Sequence, residues 1–316
     1  MSTLPPRLLT IATGALGYGT AANNMTSRIF ALFACLAACG PNGRGGPDGK
    51  GSGSDSHSGG DGQQGCGGLL NCYSVYAHAD HELYVIDLMA KTLTDIGPFH
   101  APNVTIGSTT EEDVITDLAV APDNTIYVIS ETALYTASPT DGHVTSVGTL
   151  AACGERGVAL TTTPDGKLWE GDFTGVMCNI DISGATPVVG APITIGSNMA
   201  LSGDFVAIAD GTVYGTAYDL ADGSGMGTQA NNVLVKLDLT TGAVTKVGST
   251  GYGRLFGTSY ADGKVFAFTH DATGDVVTLD PTTGVGTLFQ SFNDPTSHNP
   301  ISFAGAGVNS LVPVIP

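Results

Sequence analysis

One five-residue unit, Asp-x-x-apolar-aromatic, recurs along this chain and limits what it can fold into. Its copies are Asp123-Asn124-Thr125-Ile126-Tyr127, Asp165-Gly166-Lys167-Leu168-Trp169, Asp210-Gly211-Thr212-Val213-Tyr214 and Asp262-Gly263-Lys264-Val265-Phe266, spaced 42, 45 and 52 residues apart. Asp-Gly and Asp-Asn mark tight turns, and apolar stretches such as Leu118-Ala119-Val120-Ala121 and Val158-Ala159-Leu160 precede them, so each unit predicts a hairpin. A second unit, Asp-x-x-x-Gly-x-x-x-x-Val-Gly or a near variant, follows each hairpin. It runs from Asp87 to Gly97, Ser138 to Gly148, Asp181 to Gly190, Asp238 to Gly248, and Asp280 to Leu288 without the final Gly. Two hairpins per period make four strands per repeat, the content of one β-propeller blade.

The first outer hairpin lacks a full inner partner, since only Tyr73 to Ala77 precedes it in the repeat region. The missing strand aligns at the other end, where Phe303 to Leu311 matches Leu118 to Ile126. The expected fold is therefore all-β: a propeller of five four-stranded blades, the C-terminal strand completing the first blade and removing free sheet edges. A sixth blade hidden in an irregular stretch and an open β-sandwich are the alternatives. The 45 Gly and 16 Pro, only 13% charged residues, and a steady supply of Val, Thr, Tyr and Phe predict almost no helix.

The repeat text also resembles known groups. Tyr84-Val85-Ile86-Asp87 with Thr92 to Gly97, and Leu237 to Gly242 with Val244 and Val247-Gly248, resemble the repeats of YVTN-type surface propellers. Pro164 to Trp169 is similar to hairpins of NHL and gluconolactonase-like propellers. The likeness covers most of residues 73 to 310; it implies the fold and carries over no catalytic residue.

Ahead of the repeats, Met25-Thr26-Ser27-Arg28 and an apolar run from Ile29 to Ala38 have the pattern of a signal peptide. Its end, Leu36-Ala37-Ala38-Cys39, resembles the lipobox of bacterial lipoproteins, which implies cleavage before Cys39 and acylation of its thiol. The expected organisation is a leader over 1–38, with 25–38 the signal peptide and 1–24 upstream of the true start, then a tether over 39–65 and the propeller over 66–316. Gly40 to Gly65 holds no large apolar side chain and would reach about 25 to 30 Å as a random coil. Arg7 and Arg28 lie in the leader, which leaves nine basic side chains against 29 acidic ones. That balance argues against nucleic acid and against general adhesion to anionic lipid, and it suits carboxylate ligation of Ca²⁺, the one cofactor suggested. The implied address is the cell envelope, lipid-anchored at Cys39 to the outer membrane, on its periplasmic face or at the cell surface.

Four cysteines remain in the mature part. In an exported chain they suggest two disulfides, Cys66 with Cys72 and Cys153 with Cys178. Metal binding by them is the weaker reading, there being no Cys-x-x-Cys and no adjacent His.

Propeller ligands sit over the central channel, on loops entering the innermost strands and loops joining second to third strands. Those loops would place Glu111, Glu112, Asp113, Glu155, Arg156, Asp172, Tyr252, Arg254, His270, Asp271, Asp294 and His298 around one mouth. Arg156 and Arg254, the only arginines beyond the tether, each precede an innermost strand and could grip a carboxylate or phosphate; the bland reading pairs each with a neighbouring acid such as Glu155. His78, Asp80, His81 and Glu82 are the densest run of metal-ligand types, with both His expected to be solvated at a strand end. Asp219, Asp222 and Ser224 could wrap Ca²⁺ but lack the carboxylate series of an EF-hand. No Gly-x-Ser-x-Gly, phosphate loop, His-Glu-x-x-His or Cys-x-x-Cys-His occurs, and one Trp is too few for a quinone-dependent propeller. The chain is therefore expected to be a non-catalytic binding or scaffold lipoprotein for a protein, peptide or glycan. The rivals are a Ca²⁺- or Zn²⁺-dependent propeller hydrolase of lactonase type, with His270 or His298 moving a proton, and a structural protein without a discrete ligand.

Overall fold

Most of the repeated aspartates close their own turns. Thr125 N–H donates to Asp123 Oδ1 at 3.0 Å and Thr212 N–H to Asp210 Oδ1 at 2.8 Å; Thr240 and Thr241 N–H both reach Asp238 Oδ1, and Thr282 and Thr283 N–H reach Asp280 Oδ1. This is local Asx-turn chemistry, independent of the rest of the fold, which is why one unit can be repeated around a ring. The computed structural model describes residues 73–314 apart from 107, 152, 155, 156, 197 and 224–230. The leader, the tether, Cys39, Cys66, Cys72, Glu155, Arg156 and Ser224 lie outside the described residues.

The strands are β1 (Ser74–His78), β2 (Glu82–Asp87) and β3 (Thr92–Pro98), then an inserted hairpin of β4 (Asn103–Ile106) and β5 (Thr109–Glu112). Blade 2 holds β6 (Asp117–Val120), β7 (Ile126–Ile129), β8 (Ala133–Ala137) and β9 (Val144–Thr149). Blade 3 holds β10 (Ala159–Thr162), β11 (Leu168–Gly171) and β12 (Val176–Asp181), with the short β13 (Val188–Val189) and β14 (Ile193–Thr194) sharing its outer edge. Blade 4 is β15 (Met199–Ala207), β16 (Val213–Asp219), β17 (Val233–Leu237) and β18 (Val244–Ser249); blade 5 is β19 (Leu255–Ala261), β20 (Lys264–Thr269), β21 (Asp275–Leu279) and β22 (Gly286–Ser291). The last strand, β23 (Gly305–Gly307), pairs antiparallel with β1 and completes blade 1 in the order β23-β1-β2-β3. The innermost strands meet in the order β23, β6, β10, β15, β19 and back to β23, so the molecule is a five-bladed propeller closed by its C-terminal strand. The irregular stretch between blades 1 and 2 is the two-stranded β4–β5 hairpin and not a sixth blade. The helical content of the described residues is a 3₁₀ turn at Leu220–Asp222.

Apolar side chains are buried between blades. Tyr76 and Leu83 pack with Leu118 and Ile126 where blade 1 meets blade 2, and Phe266, Phe268 and Phe303 pack with Val75 and Ile86 where blade 5 meets blade 1. The outer turns explain the Val-Gly of the repeat. A Cβ on Gly97 would come 2.7 Å from the Asp141 carbonyl oxygen of blade 2, and one on Gly248 would come 2.0 Å from the Thr283 carbonyl oxygen of blade 5. Glycine is needed there because the neighbouring blade's backbone occupies the side-chain position. Blade 5 has Gln290 at this register and closes on blade 1 differently, with Lys91 Nζ 4.8 Å from the centre of the Phe289 ring. Gly248→Ala is therefore expected to cost about 3 kcal/mol of stability, measured by urea denaturation, because backbone and not a flexible side chain must yield. A cost under about 0.5 kcal/mol would show that the two blades separate freely.

Candidate functional site

The face where the chain enters the innermost strands, here the upper face, gathers ionisable groups that the sequence reading did not single out. Asp117 opens β6 in blade 2 and Asp204 lies in β15 of blade 4, where the register with β16 slips between Leu201 and Phe205. Both are 0% exposed. Asp117 leans toward blade 3, its Oδ1 accepting from Leu118 N–H at 2.8 Å and its Oδ2 from Leu160 N–H at 2.6 Å. Asp204 leans toward blade 5, its Oδ2 accepting from Thr258 N–H at 2.8 Å. The two carboxyls hydrogen-bond to each other from non-adjacent blades, and they meet on the axis. Burial pushes both well above the usual carboxylate range, and for Asp204 the Asp117 charge adds to it. Asp204 Oδ1 is buried and has no hydrogen-bond partner among the described residues. Blade 1 joins the same knot. A Cβ on Gly305 would fall 2.0 Å from Asp117 Oδ1 and 2.6 Å from His78 Nε2.

His78 corrects an expectation. It ends β1 at the upper face, where it was expected to be solvated, yet it is 0% exposed, packed edge-on against Phe99 at 5.8 Å between ring centres. The segment after β3 folds over the strand end and covers it. Nδ1 bonds the Ala79 carbonyl at 2.8 Å, and burial lowers the pKa to about 4, so the ring is neutral with a bare Nε2. His81 is exposed, so the two histidines do not converge. Glu170 on β11 is a further buried acid, raised to about 7 by burial and then by the Asp172 charge. Glu82 is also raised to about 7, by burial and by its hydrogen bond to Asp95.

Around the axis the upper face is aromatic. Phe173, on the β11–β12 turn of blade 3, lies 5.9 Å from Phe256 of blade 5 between ring centres, and Phe256 stacks on His270 at 4.5 Å with planes 4° apart. Blades 3 and 5 are not neighbours, so this row spans the top of blade 4. Its three rings are half-buried, each keeping part of its surface open. His270 Nδ1 bonds the Phe303 carbonyl at 3.0 Å, and burial lowers its pKa. Asp172, a candidate ligand group, is fully buried and holds the Phe173 turn: Thr174 N–H, Thr174 Oγ1 and Val176 N–H all donate to it. Arg254 sits beside the row in a left-handed conformation, φ 55°, its carbonyl accepting from His270 N–H. Its guanidinium makes no ion pair among the described residues.

The other candidates are engaged locally. Glu112 Oε1 accepts from Ala101 N–H at 2.7 Å and pins the inserted hairpin, while Asp113 accepts from the Tyr135 hydroxyl at 2.8 Å. Asp271 caps its turn through Thr273, and His298 is exposed on the Asp294–Asn299 loop, whose Asp294 accepts from the Tyr84 hydroxyl. Asp219 caps the 3₁₀ turn and pairs with Lys246 Nζ at 2.6 Å; Asp222 is exposed. Among the described residues no three His, Cys, Asp or Glu side chains are placed to hold a metal. Cys153 and Cys178 form a disulfide, joining the segment that enters blade 3 to β12, its third strand.

Asp117, Asp204 and Glu170 carried one legible sign, a carboxylate inside a short strand that is otherwise apolar or small, as in Asp117-Leu118-Ala119-Val120.

No protein-family model and no curated protein matches this chain. Solved structures do. A chain of a nidogen–laminin complex aligns over 76% of this chain and 98% of its own, at 14% identity and a TM-score of 0.46. Hydrazine synthase of Kuenenia stuttgartiensis aligns over 60% of this chain at 17% identity and a TM-score of 0.41, and the Dos1 propeller over 67% at 14% and 0.40. This chain spans only 54% and 56% of those two chains. At such identities the likeness concerns fold and says nothing of activity.

Proposed function

We propose that the protein is a non-catalytic binding module of the cell envelope, held by a lipid on Cys39, whose upper face engages a protein or peptide. The observation that carries this reading is the Phe173–Phe256–His270 row, half-open, with the Arg254 guanidinium beside it and free of any ion pair among the described residues. Flat rings beside a cation suit a partner segment that offers an apolar or aromatic side chain together with a carboxylate. Asp117 and Asp204 below fit a structural role, since backbone N–H groups of the surrounding strands already hold them. The metal-dependent hydrolase is not proposed, because nothing in the described residues favours it.

The test is chemical cross-linking in intact cells followed by capture of the tagged protein. Arg254→Ala should weaken recovery of the specific partner about tenfold, equivalent to about 1.4 kcal/mol, with the unfolding midpoint unchanged. Equal recovery by wild type and variant would exclude the upper face as the interface. Labelled palmitate fed to the cells should be incorporated into the wild-type protein and not into Cys39→Ala; equal incorporation, or none in either, would exclude the lipid anchor at Cys39.

A further inference from the structure

The lower face, opposite the Phe173–Phe256 row, has a cavity of about 390 Å³ between blades 3 and 4. It is lined by Trp169 on β11, by Asp165 and Lys167 from the tight turn of blade 3, by Val213 and Leu237, and by Asp238 and Thr240 from the outer turn of blade 4. Trp169 occupies the aromatic position of the repeat, which is covered in the two blades that follow. In blade 4 the Lys236 Nζ lies 5.2 Å from the centre of the Tyr214 ring, and in blade 5 the Phe289 ring stands edge-on to Phe266 at 5.3 Å. Blade 3 has Asn179 opposite Trp169 in the β11–β12 register, and its amide is turned to the Leu168 carbonyl. No ring and no cation among the described residues lies over the indole, which is half-buried. At Gly211, on the rim, a Cβ would meet nothing within 4 Å. The repeat has opened a space here that the Tyr214 and Phe266 positions of the next two blades fill.

We propose that this cavity is a carbohydrate subsite, with the Trp169 indole stacking on the apolar face of a neutral pyranose and the rim groups bonding its hydroxyls. A sugar ring presents C–H groups on its face and hydroxyls around its edge, which matches an apolar floor and wall ringed by Asp165, Lys167, Asp238 and Thr240. The charge on the rim favours a neutral ligand. Lys167 Nζ pairs with Asp165 Oδ2 at 2.7 Å, and Asp238 Oδ1 is held by the N–H groups of Thr240 and Thr241. An anion would face two carboxylates, and a cation would compete with Lys167 for the nearer one.

The chain has a single Trp, so its emission reports this cavity alone. The full chain is titrated with glucose, N-acetylglucosamine, cellotriose, chitotriose and maltotriose, and separately with choline as a cation that would also stack on indole. A saturable change in emission with at least one sugar, at a dissociation constant of about 0.1 to 1 mM, is the expected result. Calorimetry should then show binding weakened about tenfold in Trp169→Leu and about threefold in Lys167→Ala, whose side chain is exposed and whose loss leaves the core intact. No saturable change with any of these sugars, saturation by choline alone, or undiminished sugar binding in both variants would overturn the assignment.

Discussion

Asp117→Ala is expected to lower the free energy of unfolding by about 4 kcal/mol, read from urea denaturation of residues 66–316. The substitution leaves the buried Leu118 and Leu160 N–H groups without their acceptor, each costing about 1 to 3 kcal/mol, and it opens a void where blades 1, 2 and 3 meet. Asp204→Asn should behave differently. Its amide oxygen can still accept from Thr258 N–H, and its NH₂ group replaces the unpartnered Oδ1 with a donor that has no proton to lose. The difference shows as pH dependence. Both axial acids titrate above their unfolded values near 3.9, so the folded state holds more protons than the unfolded chain and stability declines as pH rises through and beyond that value. Glu170 and Glu82 contribute in the same sense up to their folded values of about 7. His78 acts oppositely: its pKa of about 4 lies below the unfolded value near 6.5, so its contribution is complete above about 6.5 and is lost as pH falls toward 4. Asp204→Asn removes one of the two raised carboxyls, so stability should fall less steeply with rising pH than in wild type. An unchanged slope in Asp204→Asn would mean that the folded state holds no extra proton on that carboxyl.

The axial pair also shows which parts of this fold can be read along the chain. The turns of Asp123, Asp210, Asp238 and Asp280 are legible because each carboxylate bonds an N–H two or three residues ahead, within the window where residue type decides the outcome. Blade content follows from their spacing, and closure follows because Phe303 to Leu311 repeats the text of an innermost strand. Asp117 and Asp204 stand 87 residues apart on blades that are not neighbours, and nothing local to either requires the other. His78 was misplaced for the same reason: a strand end beside a turn looks solvated until Phe99 and Gly305 close over it from elsewhere in the ring. The candidate site was half legible. Loop position drew Arg254, His270 and Asp172 to the upper face, but the role of Asp172 in holding Phe173, and the reach of Phe173 across blade 4 to Phe256, depend on the curvature of the closed ring.

Cys153→Ala with Cys178→Ala should cost about 3.5 kcal/mol, the chain-entropy value for releasing a loop whose ends are 25 residues apart. Both cysteines are almost fully buried, so the pair is removed by substitution and not by reductant, and alanine leaves no buried thiol behind. The cross-link encloses β10, β11 and the turn between them, and it fixes the segment that leads into blade 3 on the upper face. Cys178 stands opposite Glu170 in the β11–β12 register, so this tie sits beside a buried acid that depends on its surroundings staying dry. Two readouts then separate the possible origins of the effect. If the disulfide acts on the unfolded chain, the urea midpoint falls while proteolysis of the native protein near residues 150–158 is unchanged. If it restrains the native loop, that segment becomes the first site of cleavage and the pKa of Glu170 drops from about 7 toward the usual carboxylate range as water reaches it. A double variant within about 0.5 kcal/mol of wild type, with no new cleavage, would show that neither state depends on the cross-link.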